Sequence, residues 1–472
     1  MEAEELLARH DAALARRRPL EAGWQDCYDH ALPAPGAAPL FDATAADAAE
    51  QLAASLLAEL APPWSRWFDL APVRENADPA IARSLSAVAE TLQGHLDRSN
   101  FALELHQAFL DLVVAGTGLV SIEEAPPGEP SALRFRAVPL RDAVLAEGPG
   151  GRLDTVFRAL SLTAAEIRAR WPGAALPRRR DEDAEAKLRV VEAAWPDPRA
   201  GHRFAAVLAP DDGAPVLLAQ GAFAENPFVA FRWLKLPGET YGRGPVAKAL
   251  PDIRTANKVV ELILKNASIA ATGIWLADDD GVLNPSTIRL VPGAIIPKAA
   301  GSAGLTPLAA PGNFDVSQIV LQDLRTRIRS ALLADRIAAD EKTPMTATEV
   351  LERSTTAARL LGATYGRLQA ELLTPLIARC LAVLRRRGEV PPVLVDGREV
   401  RLVYASPLAR VQARADAAST LLFLQAAASL GGEAAATVDP AAATRWVART
   451  LGAAPEILRP EDPAAAETPN QE

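Results

Sequence analysis

The sequence predicts an α+β fold that is dominated by long helices and carries one β-rich lobe. The 472-residue chain is 49% hydrophobic, and much of that share is Ala and Leu, which lose little conformational freedom on entering a helix. Between residues 132 and 233 the pattern changes to short apolar runs separated by turn residues, which is typical of strands. The 38 prolines divide the chain into segments and argue against one continuous helical bundle.

The N-terminal part predicts four helices. Residues 1–33 form a charged amphipathic pattern that ends at Pro33, and residues 41–60 follow with leucines at helical spacing. Residues 79–114 predict two further helices, of which the second starts near Ser99. The sequence AGTGLVSIEE after them then turns into a strand.

The segment 132–233 predicts the β-rich lobe. Its apolar runs LRFRAVPL, LRVVEAAW, RFAAVLA, PVLLAQ and PFVAFRW are separated by turn residues. One short helix interrupts them, because Thr163 and Glu166 have the spacing of a capping box. The lobe therefore lies inside an otherwise helical chain.

The middle of the chain predicts two helices joined by short strands. The turn YGRGP places Pro245 in the first turn of a helix, and a helical pattern continues over Val246–Ala271. Short strands, turns and a loose Gly/Ala/Pro segment follow, and Ser317–Ala334 predicts the second helix. The apolar stripe of this second helix consists of Leu321, Leu324, Ile328 and Leu332.

A loop over residues 335–345 leads to a very long helix, Thr346–Arg387. Thr346 and Glu349 have capping-box spacing at its start, and the basic run RRRG ends it at Gly388. Pro375 lies inside this pattern and predicts a kink, because proline lacks the N–H that the helical ladder needs.

The C-terminal part predicts a hairpin, more helix and a tail. The hairpin turns at Asp396-Gly397 and continues to about residue 407. Residues 408–458 return to an Ala-rich helical pattern. The tail 459–472 is acidic and rich in Pro and Ala, a composition that predicts disorder.

Charge and hydropathy narrow the classes of function. A net charge of −9 is unlike that of proteins that grip DNA over a broad surface, since phosphate neutralisation supplies most of their affinity. An acidic wall is still compatible with DNA that slides past it. No run reaches the roughly 18 uncharged apolar residues of a membrane span, and the N-terminus lacks the apolar core of a signal peptide. We expect a soluble chain that is not secreted and has no membrane partner.

Motifs of catalysis are missing from the sequence. GRGPVAK lacks the spacing of a P-loop, and no GxSxG nucleophile elbow occurs. The run 278–280 lacks the alternation of a calcium loop and predicts a polar turn. The five histidines, which have no metal-binding spacing, are His10, His30, His95, His106 and His202. We therefore expect no enzyme activity, no cofactor and no metal site.

The order of helix, small β insertion, helix, loop and very long helix resembles one known family. NPFVAFRW followed by GETYGRGPVAKALPDIRTANKV, the strand VPGAIIP, and TATEVLERSTTAARLLGATYGRLQAELLTPLIARC are the matching pieces. They are similar to the portal proteins, or head-to-tail connectors, of tailed bacteriophages, closest to those of short-tailed podoviruses. DCYDHALP, WFDL and VVAGTGLV fit as well. The resemblance covers about residues 1–405 and weakens after them.

The resemblance implies a phage portal fold with wing, stem, clip and crown regions. The corresponding residues would be 1–245 for the wing, 246–271 and 317–334 for two stem helices, 272–316 for the clip between them, 335–345 for a tunnel loop, 346–407 for the long wing helix with its hairpin, and 408–458 for the crown. The resemblance also implies a dodecameric ring at one capsid vertex, assembled in the host cytoplasm, that passes double-stranded DNA during packaging and ejection. Its implied partners are the major capsid protein, the terminase packaging motor and a tail adaptor protein at the clip.

Five basic residues are candidates for contact with DNA in such a channel. They are Lys258, Lys265, Arg325, Arg329 and Lys342. The alternative for each is a solvated face or an ion pair between subunits. Lys342 is favoured among them because it lies in the expected tunnel loop, where phosphates would pass.

Two other classes of function remain open at this stage. A DNA-processing enzyme, such as a nuclease or a packaging ATPase, predicts turnover with nucleotide and divalent metal. A non-phage helical scaffold predicts a monomer or dimer, so the mass of the native particle distinguishes it from a ring.

Overall fold

The computed structural model describes residues 2–63, 65–72, 79–174, 176, 185–210, 213–272, 275–277, 305–307, 314–334, 362, 364–391, 400–404, 407–430 and 437–451. Helices and short sheets alternate within these residues, and the predicted α+β class is confirmed. The helices are α1 (Ala3–Ala31), α2 (Thr44–Leu60), α3 (Pro79–Arg98), α4 (Phe101–Ala115), α5 (Ala164–Arg170), α6 (Pro245–Thr272), α7 (Phe314–Ala331), α8 (Thr374–Arg386), α9 (Pro407–Ser429) and α10 (Pro440–Leu451). The strands are β1 (Phe68–Pro72), β2 (Thr117–Glu124), β3 (Leu133–Ala137), β4 (Ala143–Glu147), β5 (Leu153–Leu162), β6 (Leu188–Asp197), β7 (Gly201–Leu208), β8 (Val216–Phe223), β9 (Phe228–Arg232), β10 (Trp275–Ala277), β11 (Leu305–Pro307) and β12 (Val400–Tyr404).

The predicted N-terminal helices pack with the middle of the chain around one large core. Leu52 of α2 and Phe109 of α4 belong to the same buried cluster as Ile253 of α6, Ile328 of α7 and Leu376 of α8. Full burial of such a side chain stabilises the folded state by roughly 1.5–3 kcal/mol. The core therefore packs the start of α6 and the end of α7 against the N-terminal helices.

The strands predicted between residues 132 and 233 are present and form two antiparallel sheets. β4 to β8 make a five-stranded meander in chain order, while β2 lies between β3 and β9 in a separate sheet. Neighbouring residues of β6 face opposite sides: Val191 packs with Leu6 of α1, and Val190 packs with Ile167 of α5. The five-stranded sheet is thus covered by one helix on each face.

Helix α5 begins with the predicted capping box. The hydroxyl of Thr163 accepts a hydrogen bond from the backbone N–H of Glu166, at 3.3 Å. The Glu166 carboxylate in turn accepts from the backbone N–H of Thr163, at 2.7 Å. Two N–H groups that have no partner inside the helix are satisfied in this way.

A close contact between two backbones fixes where α6 begins. Gly116 ends α4 with a φ of 85°, and a Cβ at this position would lie 2.3 Å from the nitrogen of Gly244. Gly242 belongs to the same turn, and its N–H donates to the hydroxyl of Thr117 at 2.8 Å. Only a glycine at residue 116 permits both the positive φ and this approach.

The kink predicted at Pro375 takes the form of a π-helical segment, Gln369–Leu373. The wider turn relieves the clash that a proline ring makes with the carbonyl four residues earlier. The hydroxyl of Thr374 donates to the carbonyl of Gln369 at 2.9 Å and compensates one disturbed backbone group. The helix then ends at Arg386, and the predicted terminating glycine, Gly388, follows it with a φ of 77°.

Two pairings were not predicted. β12 pairs with β1, placing Tyr404 opposite Phe68. The first arm of the predicted hairpin lies outside the described residues. β11 lies in the segment predicted to be loose, and it pairs with β10. The start of the long helix at Thr346, the loop 335–345, most of 272–316 and the tail 459–472 also lie outside the described residues.

Candidate nucleic-acid interface

The two predicted middle helices, α6 and α7, form an antiparallel pair. β10 follows α6 and pairs with β11, which precedes α7, so the two helices meet at that end. Arg327 near the end of α7 contacts Asp252 near the start of α6, at 3.0 Å, so they also meet at the other end. The predicted bounds of α6 agree with the structure to within one residue at each end.

Exposure of apolar side chains rises along the pair away from the core. Ile253 and Ala256 are 2% and 0% exposed, whereas Leu262 and Leu264 are 48% and 52% exposed. Ile319 in the first turns of α7 is 71% exposed. Two residues correspond to about 200° around a helix, so Leu262 and Leu264 lie on opposite flanks of α6. The pair presents apolar surface on both flanks.

Lys258 and Lys265 lie on one exposed face of α6 together with Glu261. The two ammonium groups contact the Glu261 carboxylate at 2.9 and 2.6 Å, and the lysine side chains remain 62% and 63% exposed. Hydrogen bonds from Lys265 and Lys258 hold the pKa of Glu261 below its ordinary value. Ion pairs in this exposed setting contribute little to stability, so the structure brings these two candidates together on a solvated face.

Arg325 has a different environment, because it binds a buried carboxylate. Its guanidinium donates to Asp42 at 2.8 Å, and Asp42 is 3% exposed. Burial alone would raise the pKa of Asp42, but hydrogen bonds from Thr44 and Arg325 outweigh burial, and the pKa is lowered. Asn257 of α6 accepts hydrogen bonds from the backbone N–H groups of Phe41 and Asp42. The connection between α1 and α2 is thus hydrogen-bonded to α6 through Asn257 and to α7 through Arg325.

Arg329 lies one helical turn after Arg325 on α7, whereas the fifth candidate falls outside the described residues. Arg329 is exposed on α7, and it forms no ion pair with any residue in the described ranges. Lys342 lies outside the described residues, as does the expected tunnel loop.

The sequence reasoning missed a buried charge cluster that joins β9 to the π-helical segment. Arg232, 0% exposed, donates to both carboxylate oxygens of Glu371, at 2.6 and 3.1 Å. It also donates to Glu147 at 2.8 Å and to the carbonyls of Thr240 and Gly151 at 3.1 and 3.0 Å. Every arm of this guanidinium therefore has an acceptor, as a buried charge requires.

Glu147 receives a second cation in this cluster, Lys235. Burial would raise the pKa of Glu147, but hydrogen bonds from Arg232 and Lys235 outweigh it and hold the pKa below its ordinary value. One signal was available in the sequence: Arg232 interrupts the apolar run PFVAFRW. A charged residue within a buried strand requires a partner, although the run does not reveal which one.

Metal-binding clusters and membrane-spanning helices are both absent from the described part of the chain. Its His, Cys, Asp and Glu side chains include no group of three or more that is arranged to hold a metal ion. Of the helices in the same ranges, none combines the length and hydropathy needed to cross a bilayer. His95 contacts Glu389 at 2.7 Å, and His10 packs edge-on against Phe157, so both have structural partners.

Known proteins similar to this chain include several phage portal proteins. It is 23% identical to the probable portal protein of Bordetella phage BPP-1, over 98% of this chain and 89% of that protein. It is also 23% identical to the portal protein of Salmonella phage epsilon15, over 90% of this chain and 80% of that protein. The match to the portal protein of Escherichia phage T7, again at 23% identity, covers 66% of this chain and 58% of that protein.

Among solved structures, a chain from the virion of a native gene transfer agent (GTA) particle matches 87% of this chain and 90% of its own length. The identity is 11% and the TM-score is 0.41. The family described as "Bacteriophage head to tail connecting protein" matches residues 3–458, nearly the whole sequence. The chain therefore belongs to the bacteriophage head to tail connecting protein family.

Proposed function

We propose that this head-to-tail connector is the subunit of a portal ring at one vertex of a phage capsid, with double-stranded DNA passing through its centre. The observation that carries the proposal is the antiparallel pair of α6 and α7, with a short strand pair at one end and exposed apolar side chains on both flanks. In this ring, 1–245 and 346–407 form the wing, 246–271 and 317–334 the stem, 272–316 the clip, 335–345 the tunnel loop and 408–458 the crown.

The flanks of α6 support a ring rather than a two-fold dimer. Leu262 and Leu264 lie on opposite sides of the helix, so one neighbour alone leaves one of them exposed. A head-to-tail contact that closes on itself gives every subunit two neighbours and covers both flanks. The subunit number implied by the family resemblance is twelve.

The exposed face of α6 supports a channel that guides DNA without trapping it. Lys258 and Lys265 attract phosphates, while Glu261 between them offsets part of that attraction. Arg329 and Lys342 remain candidates for the same lining. The guanidinium of Arg325 is already bonded to Asp42, so we assign Arg325 mainly to holding α7 in place.

The proposed partners follow from the position of each region. The clip, which contains the paired strands β10 and β11, would contact the tail adaptor protein. The major capsid protein and the terminase motor would contact other surfaces of the ring after assembly in the host cytoplasm. We propose that the ring itself has no catalytic activity. We therefore expect no turnover of nucleotide when nucleotide and divalent metal are added.

Electron microscopy of the negatively stained protein, together with the mass of the native particle, tests the ring. We expect rings with a central hole. A particle mass of one or two subunits would contradict the proposal and favour the scaffold alternative.

Lys342→Glu tests the tunnel loop within intact rings. We expect rings to form normally while DNA packaging or retention changes, because the reversed charge repels phosphates where they are proposed to pass. Lys248→Glu, the same charge reversal at an exposed position near the start of α6, is the control. Normal packaging and retention with Lys342→Glu would remove the claim for this residue.

A further inference from the structure

A cavity of about 320 Å³ lies where the end of β2 and the five-stranded sheet meet α8. Aromatic rings form much of its wall, contributed by Trp171, Phe204, Phe223 and Phe228. This cavity is separate from α6 and α7 and plays no part in the proposed channel. Its walls combine apolar surface with charged groups, as ligand pockets commonly do.

Two of the three arginines in the wall already have carboxylate partners. Arg170 contacts Glu123 at 3.1 Å and Glu192 at 2.8 Å. Arg386 contacts Glu124. The three glutamates of the wall are thereby bonded to cations as well.

Arg379, the third arginine, has no such partner. It is 4% exposed and lies over the ring of Phe223, 4.6 Å from the ring centroid. Its hydrogen bonds are long: Nε donates to the carbonyl of Ile122 at 3.3 Å, and one terminal nitrogen donates to the carbonyl of Glu225 at 3.4 Å. Within the described ranges, no carboxylate forms an ion pair with this guanidinium.

The environment of Arg379 disfavours its charge. Burial, followed by the nearby Arg386, lowers the pKa of Arg379 to about 10, although Cys380, Glu225 and Glu124 act in the opposite direction. A buried cation without a bonded anion is costly to the folded protein, and an anion that enters the site reduces that cost.

We propose that this cavity binds a carboxylate group whose oxygens accept hydrogen bonds from Arg379. A guanidinium has five N–H donors in a planar fork, which matches a carboxylate, and Arg379 uses two of them in long bonds. The aromatic walls favour a ligand in which the carboxylate is attached to an apolar body. The glutamates around the cavity oppose a second negative charge, so a phosphate fits less well.

Benzoate and benzamide are matched probes for this site, because they share a ring and differ in charge. Calorimetric titration of the purified full chain should show benzoate binding at least about tenfold more tightly than benzamide, since a bond to a charged acceptor is stronger than one to a neutral acceptor. Arg379→Met should abolish that preference. Arg385→Gln, which changes an exposed arginine of α8 that does not line the cavity, should retain it.

The source of the carboxylate is distinguished by repeating the titration on unassembled chain and on assembled particles. Binding to both forms indicates a free carboxylate ligand. Binding only to the unassembled chain indicates that a neighbouring copy inserts an acidic side chain on assembly. The proposal is overturned if neither form binds benzoate, if benzamide binds wild type equally well, or if inorganic phosphate binds more tightly than benzoate. These comparisons use the wild-type protein and do not depend on the folding of a variant.

Discussion

Glu371→Gln tests what attaches the long helix to the β-rich lobe. Glu371 accepts two hydrogen bonds from the guanidinium of Arg232 and a third from the backbone N–H of Arg232, at 3.0 Å. Glutamine keeps the size of the side chain but removes its charge and turns one acceptor into a donor. Arg232 stays buried in this variant, and Glu147 becomes its remaining carboxylate partner.

The expected loss of stability can be bounded from this geometry. Removing one partner of a buried ion pair costs about 3–5 kcal/mol. Glu147 still contacts Arg232, so we expect a value near the lower end, about 3 kcal/mol. Glu239→Gln is the matched control, because it makes the same chemical change in an exposed pair with Arg243, where no measurable loss is expected.

Urea unfolding of the unassembled chain, followed by tryptophan fluorescence, measures both variants. The midpoint should fall clearly for Glu371→Gln and stay at the wild-type value for Glu239→Gln. Removing both charges in Arg232→Met with Glu371→Leu should recover part of the loss, because no unpaired guanidinium is left in the core. Equal midpoints for the two glutamine variants would refute the role assigned to the cluster.

Two further predictions concern the joints of the fold. Gly116→Ala should prevent stable folding, because the new Cβ would lie 2.3 Å from the Gly244 nitrogen. The control Gly128→Ala has open space at a similar φ and should cost only about 1–2 kcal/mol of unfolding free energy. Thermal unfolding followed by circular dichroism compares the two variants, and equal stability would contradict the close contact. Asp42→Asn should make the protein lose less stability on acidification than wild type does. The lowered pKa of Asp42 contributes stability that is fully present above the unfolded-state pKa of about 3.9 and is lost as pH falls through the folded-state pKa. An acid-unfolding curve with the slope of wild type would contradict this prediction.

Local signals in the sequence predicted the elements that depend on neighbours along the chain. The capping box at Thr163, the disturbed helix before Pro375 and the glycine end at Gly388 each follow from a few consecutive residues. Pairings between distant segments were not predictable in the same way. The short run WFDL has no feature that selects β12 as its partner, and Arg232 and Glu371 are 139 residues apart. Periodicity gives the buried face of an element but not what covers it.

The candidate DNA contacts show how this limit affects function. Lys258 and Lys265 have Glu261 within one turn, so their ion pairs follow from helical spacing alone. Arg325 looks equivalent in sequence, yet its carboxylate partner is 283 residues away and buried. A channel lining has to be sought among cations that keep exposed donors, which favours the face of α6 and Arg329 over Arg325. On that face two positive groups share one negative group, so in the proposed ring each subunit would attract phosphates weakly, and repetition around the ring would give a surface over which DNA can move.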